Sequence, residues 1–131
     1  MTPHRQIHFG SPNGSCFATA IASALDLDIA AVPNFTAFRS GRWWDALMLW
    51  AKSVRVHVDR RSNDGDPLPD HPIIASGKSV RGLRHAVVWQ GGRMVHDPHP
   101  SDAGLVGEPD GFYVLTRCED KACERCDGGD G

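Results

Sequence analysis

Asn13-Gly14-Ser15-Cys16-Phe17-Ala18-Thr19-Ala20-Ile21-Ala22-Ser23-Ala24-Leu25 is the stretch on which the chain turns: a glycine turn, a cysteine, then an alanine-rich apolar run. Phe17, Ala20, Ile21, Ala24 and Leu25 recur at helical spacing and predict a helix from about Cys16 to Leu25 with one face buried. Ala18, Ala20 and Ala22 keep that helix slim enough for a sheet to pack closely on it. Cys16 then stands in the first turn, where unpaired N–H groups and the positive end of the helix dipole favour a thiolate over a thiol. A cysteine so placed is either a nucleophile or a small buried apolar residue, and the choice depends on a base elsewhere.

The base is offered by residues 84 to 100, Arg-His-Ala-Val-Val-Trp-Gln-Gly-Gly-Arg-Met-Val-His-Asp-Pro-His-Pro. Two β-rich runs around Gly91-Gly92 predict a hairpin, with His85 entering the first strand and Asp97 leaving the second. Thiol catalysis needs this set: a cysteine, a histidine to take its proton, and a carboxylate to fix the imidazole tautomer. Register decides whether the set can meet. A strict two-residue turn faces Ala86 with Asp97, whereas a bulged three-residue loop, Gln90-Gly91-Gly92, sets His85 opposite Asp97; the catalytic reading predicts the bulged loop. An unbulged two-residue turn would instead promote His96 or an asparagine elsewhere.

Gly14-Ser15-Cys16-Phe17, Val32-Pro33-Asn34-Phe35, His85-Ala86-Val87-Val88 and Val95-His96-Asp97-Pro98-His99-Pro100-Ser101 together resemble a family of small papain-like cysteine peptidase homologues. These occur in phage and actinobacterial genomes and are more distantly similar to the C39-type bacteriocin-leader peptidases. The likeness covers roughly residues 6 to 116. It implies an α+β papain-like fold, in which an N-terminal helix carrying the cysteine packs on an antiparallel β-sheet. It also implies a Cys16–His85–Asp97 triad, and it supplies no target. In papain-like enzymes a glutamine upstream of the cysteine completes the oxyanion hole with the cysteine's own N–H, a role that falls here to Gln6 or Asn13 beside Cys16. The gap from Gln6 to Cys16 is longer than is usual in the leader peptidases.

The rest of the chain is read around this core. Asp26 or Asp28 caps a short helix that Pro33 ends. Phe35 and Phe38 read as core residues. Arg42 to Lys52 predicts a further helix bearing Trp43, Trp44, Leu47, Met48 and Trp50, the two adjacent tryptophans reading as core or as a substrate wall. Val54 to Val58 reads as a strand with Arg55 and His57 on its polar face. Asp59 to His71 reads as a long loop, either a lid or a surface excursion. Pro72 to Ser76 is a short strand, Gly77 to Arg84 a basic loop, and Gly111 to Thr116 the last strand. Lys78, Arg81 and Arg84 near the site would suit a carboxylate, a phosphate or an acidic peptide. His85, His96 and His99 can be drawn as a metal cluster, but Pro98 forces a turn where ligands would converge.

At 131 residues, 40% apolar and 23% charged, the chain is long enough for one domain, expected over 1–117. Eleven arginines and three lysines against sixteen acids leave a net charge of −2, which gives no broad basic field and no reason to expect nucleic acid. No apolar run has membrane-spanning length, and the expectation is a soluble, cytoplasmic protein acting on a peptide or protein without a cofactor. Residues 118–131 form an acidic segment expected to be disordered. Its Cys118, Cys123 and Cys126 are one ligand short of a closed zinc site. The expected function is a cysteine peptidase or amidohydrolase. A thiol acyltransferase with the same triad, or an inactive papain-like binding module, remains the alternative.

Overall fold

A computed structural model describes residues 1–5, 16–34, 42–80, 82 and 84–118. Gln6, Asn13, Phe35, Phe38, Arg81, Cys123 and Cys126 lie outside the described residues. The fold is α+β. Among the described residues, two helices, α1 (Cys16–Ala24) and α2 (Trp43–Ser53), accompany five strands, β1 (Val56–Ser62), β2 (Ile73–Lys78), β3 (Arg84–Gln90), β4 (Arg93–His96) and β5 (Gly111–Arg117). A 3-10 turn, Ile29–Ala31, is capped by Asp28, whose carboxylate accepts the Ala30 N–H at 3.2 Å.

The strands form one antiparallel sheet in the order β1-β5-β2-β3-β4. Alternation along the strands sends Val58, Ile74, Ala86, Val88 and Leu115 to the face that carries α1, and Ile73, Ala75, Val87, Phe112 and Val114 to the other. α1 packs on β3 and β2, and α2 on β1. The helix is buried well beyond a single stripe: every residue from Phe17 to Ala24 is buried. The N-terminal residues account for part of this, since Thr2 N–H donates to Ser23 O and His4 N–H to Ser23 Oγ. Small side chains are what permit neighbours on so many sides of one helix.

Three segments differ from the expectation. β1 begins at Val56 and runs on to Ser62, taking in Asp59, Arg60 and Arg61, because it pairs along its whole length with β5. Arg55 has φ 58° and lies before the strand. The loop that follows places Leu68 against Ile73 and Trp89 on the face opposite α1, at the hairpin-tip end of the sheet. It is no lid over Cys16.

The hairpin also differs. Gln90 pairs with Arg93 and Trp89 with Met94 around a two-residue Gly91-Gly92 turn with φ values of 65° and 81°. Two positive φ angles make the tight turn whose twist matches the flanking strands, so the three-residue loop does not form. The bulge lies inside the ladder instead: Val88 pairs with His96, leaving Val95 as the extra residue. Among the described residues, no helix is long and apolar enough to cross a membrane. Cys118 is joined to the end of the sheet by its N–H, which donates to Arg55 O at 2.8 Å.

Candidate active site

Cys16 opens α1 and His85 is the second residue of β3, so both lie at one end of the helix–sheet layer. The bulge at Val95 delivers Asp97 to the same place, just past β4. Asp97 and His85 are both buried, at 1% and 3% exposure, and His85 Nε2 donates to Asp97 Oδ1 at 2.6 Å. Cys16 hydrogen-bonds the same imidazole, which leaves Nδ1 as the ring nitrogen for the thiol. The three residues singled out from the sequence therefore meet, although His85 and Asp97 are not register partners.

The carboxylate is fixed from several sides. Asp97 Oδ1 also accepts the His99 N–H at 2.9 Å, and Oδ2 accepts the Gly104 N–H at 2.8 Å. Burial alone would raise its pKa, but these donors and His85 outweigh burial and hold it at about 2. For His85, burial works against the charged ring, while the bonds to Asp97 and Cys16 favour it; the balance pushes its pKa up to about 9. Such a ring is an imidazolium at neutral pH, facing the thiol on one nitrogen and a carboxylate on the other.

The turn around the site is tied down by Arg5, which no motif in the sequence singles out. Its guanidinium donates to Asp97 O at 2.8 Å, to His99 O at 3.1 Å and to the Asp102 carboxylate at 2.6 Å. His96, buried at 8% exposure, bonds His4 O through Nε2 at 2.6 Å. It fastens the N-terminal segment and does not orient His85. The His99 ring stands edge-on to His85 with centroids 6.3 Å apart, and its Nδ1 accepts the Ser101 N–H at 3.1 Å. Among the described residues no group of three or more histidine, cysteine or acidic side chains is placed to hold a metal ion.

The Cys16 N–H sits at the helix N-terminus, where α-helical geometry provides no intrahelical acceptor, and it is the described candidate for an oxyanion donor. Beside the triad, the half-buried Trp43 and Trp44 pack edge to face at 5.7 Å. Trp43 also meets Phe17, the neighbour of Cys16, at 5.8 Å, and both tryptophans meet Tyr113. They are therefore packing residues, with Trp43 linked to Cys16 through its neighbour Phe17. Arg84, next to His85, pairs with Asp110 and donates to Ser76 Oγ at 3.1 Å. Arg60, Asp110 and Tyr113 join Arg84 around a groove of about 210 Å³, and none of these three was singled out from the sequence. Arg60 was hidden because it fell in a stretch read as loop.

No family model matches the chain, and no match is found among the curated proteins or the solved structures.

Proposed function

We propose that this protein is a papain-like cysteine hydrolase that cleaves an amide, peptide or isopeptide bond through Cys16, His85 and Asp97. The observation that carries the reading is the buried His85 ring held between Asp97 and Cys16, with the 2.6 Å bond at Nε2 fixing which nitrogen serves the thiol. In the first half of the cycle the Cys16 thiolate attacks the carbonyl carbon, and the resulting oxyanion is met by the Cys16 N–H. His85 Nδ1 then gives its proton to the leaving nitrogen, the C–N bond breaks, and a thioester remains on Cys16. In the second half, Nδ1 takes a proton from water as the water oxygen attacks the thioester. The acid product leaves and the thiolate–imidazolium pair is restored. Asp97 keeps the ring in one orientation throughout and favours its charged form.

The test is alkylation of the full chain at pH 7, followed by peptide mapping so that Cys118 serves as an internal reference. Cys16 is expected to react faster than Cys118, and His85→Ala is expected to slow Cys16 by about tenfold or more while Cys118 is unchanged. An equal Cys16 rate with and without His85 would remove the hydrolase reading and favour the binding-module alternative.

A further inference from the structure

Residues 1–5 join the two elements that the triad needs together. On one side they hold α1, the helix that carries Cys16. The Thr2 N–H donates to Ser23 O at 3.0 Å, the His4 N–H to Ser23 Oγ at 3.0 Å, and His4 Nε2 to Leu27 O, just past the helix, at 2.8 Å. On the other side they hold the turn that carries Asp97. His96 Nε2 donates to His4 O at 2.6 Å, and the Arg5 guanidinium reaches Asp97 O, His99 O and the Asp102 carboxylate.

The Asp97 carboxylate accepts N–H groups from His99 and Gly104, so side chain and turn move as one body. Arg5 places that body. Its Nη1 carries two hydrogens and meets both carbonyls and Asp102 Oδ1, while Nη2 adds Asp102 Oδ2 at 3.2 Å. Asp102 has φ 55°, a left-handed conformation that few residues other than glycine adopt, so local preference alone does not set the turn. The Arg5 and Asp102 side chains are 48% and 55% exposed, and an ion pair so open to water contributes little by itself. The bonds to the Asp97 and His99 carbonyls are therefore what connect Arg5 to the triad.

We infer that Arg5 is a positioning residue for the triad: by gripping the Asp97 and His99 carbonyls while the residues before it hold α1, it sets the Asp97 turn against the cysteine-bearing helix and keeps Asp97 on His85. The inference rests on the hydrolase reading above. Arg5 touches neither ring nor thiol and acts through Asp97 alone. When the turn shifts, the 2.6 Å bond from His85 Nε2 to Asp97 lengthens, the imidazolium loses its partner, and the Cys16 thiolate in turn loses the imidazolium.

The experiment follows Cys16 alkylation against pH in the full chain, by peptide mapping with Cys118 as reference, the fold of each variant being checked by circular dichroism. Arg5→Met keeps the stem and removes every donor. It should slow Cys16 at pH 7 by about threefold or more and move the midpoint of the profile up toward the ordinary cysteine value of about 8.5, with Cys118 unchanged. Arg5→Gln, the milder change, should move the profile the same way, and Arg5→Lys, which returns charge and donors on a shorter stem, should recover part of the rate. Asp102→Asn cancels the exposed ion pair but leaves both carbonyl bonds, and Thr2→Ala removes a bond to Asp26 that does not reach the turn; both should stay within about twofold of wild type. A wild-type profile in Arg5→Met and Arg5→Gln would overturn the inference. So would an equal loss in Thr2→Ala, because loosening the segment anywhere would then suffice. Failure of the hydrolase reading shows separately, as Cys16 alkylation that does not depend on His85, and it would remove this inference as well; dependence on His85 without dependence on Arg5 removes this inference alone.

Discussion

His85 and Asp97 carry the largest electrostatic consequences in the molecule. The ring is charged at neutral pH because a buried carboxylate and the Cys16 sulfur both favour its proton, and the carboxylate stays ionised because two backbone N–H groups and the ring hold it. The two shifts act on stability in opposite pH directions. Asp97, held at about 2 against an ordinary 3.8, contributes stability above pH 3.8 that is lost as pH falls toward 2. His85, raised to about 9 from an ordinary 6.5, contributes stability fully present below pH 6.5 and lost as pH rises toward 9. The difference in thermal midpoint between wild type and His85→Ala should therefore be largest from pH 4 to 6.5 and shrink steadily up to pH 9. A scan of the midpoint against pH measures it, and a flat difference would mean that the ring is not charged by its partners. Asp97→Asn keeps the shape but removes the charge, and kcat/KM is expected to fall by about 10²- to 10⁴-fold once a substrate is in hand. Its Cys16 alkylation at pH 7 should also slow, which checks the same point without a substrate.

At the scale of elements, the β3–β4 hairpin sets the site. Helical periodicity and the Gly91-Gly92 turn are local signals, and both α1 and the hairpin were legible from them. The position of the bulge was not. The sequence-based reading placed an extra residue in the turn, where glycines announce it, but the glycines instead satisfy a two-residue turn and the extra residue is Val95. An exposed valine inside a strand carries no turn signal, so only pairing with β3 reveals it. Deleting Val95 should remove the bulge while leaving Met94 opposite Trp89 and His96 opposite Val88, so that Asp97 keeps its side of the sheet. The expected outcome is a folded protein by circular dichroism that keeps the fast Cys16 alkylation. Loss of the fast reaction would show that the bend of the bulge, and not register alone, brings Asp97 to His85. The choice between lid and surface excursion for the loop after β1 was hidden for a related reason: β1 gained four residues from its pairing with β5, and the shortened loop packs Leu68 on the far face.

Across the described molecule, α1 belongs to the larger of the two cores. Ile21 is fully buried within the core formed by both helices and four strands. Ile21→Ala should cost about 2–5 kcal/mol, read from the midpoint of urea unfolding. A loss below about 1 kcal/mol would mean that the alanine-rich surroundings collapse onto the gap.

Taken by itself, the sequence determined the pieces whose causes lie within a few residues: the helix that begins at Cys16, the two β-runs around the glycine turn, and the α+β class that follows from them. It also supplied Cys16, His85 and Asp97 as a chemically coherent set, because their residue types and flanking elements are local facts. The tertiary structure alone decided the rest. The order β1-β5-β2-β3-β4 brings Arg60 and Arg84 to one groove, and the bulge at Val95 carries Asp97 to His85. Arg5, from the N-terminal segment, closes onto the turn after β4. These are pairings between segments distant in the chain, fixed by which faces must be buried together, and no short stretch of residues encodes them.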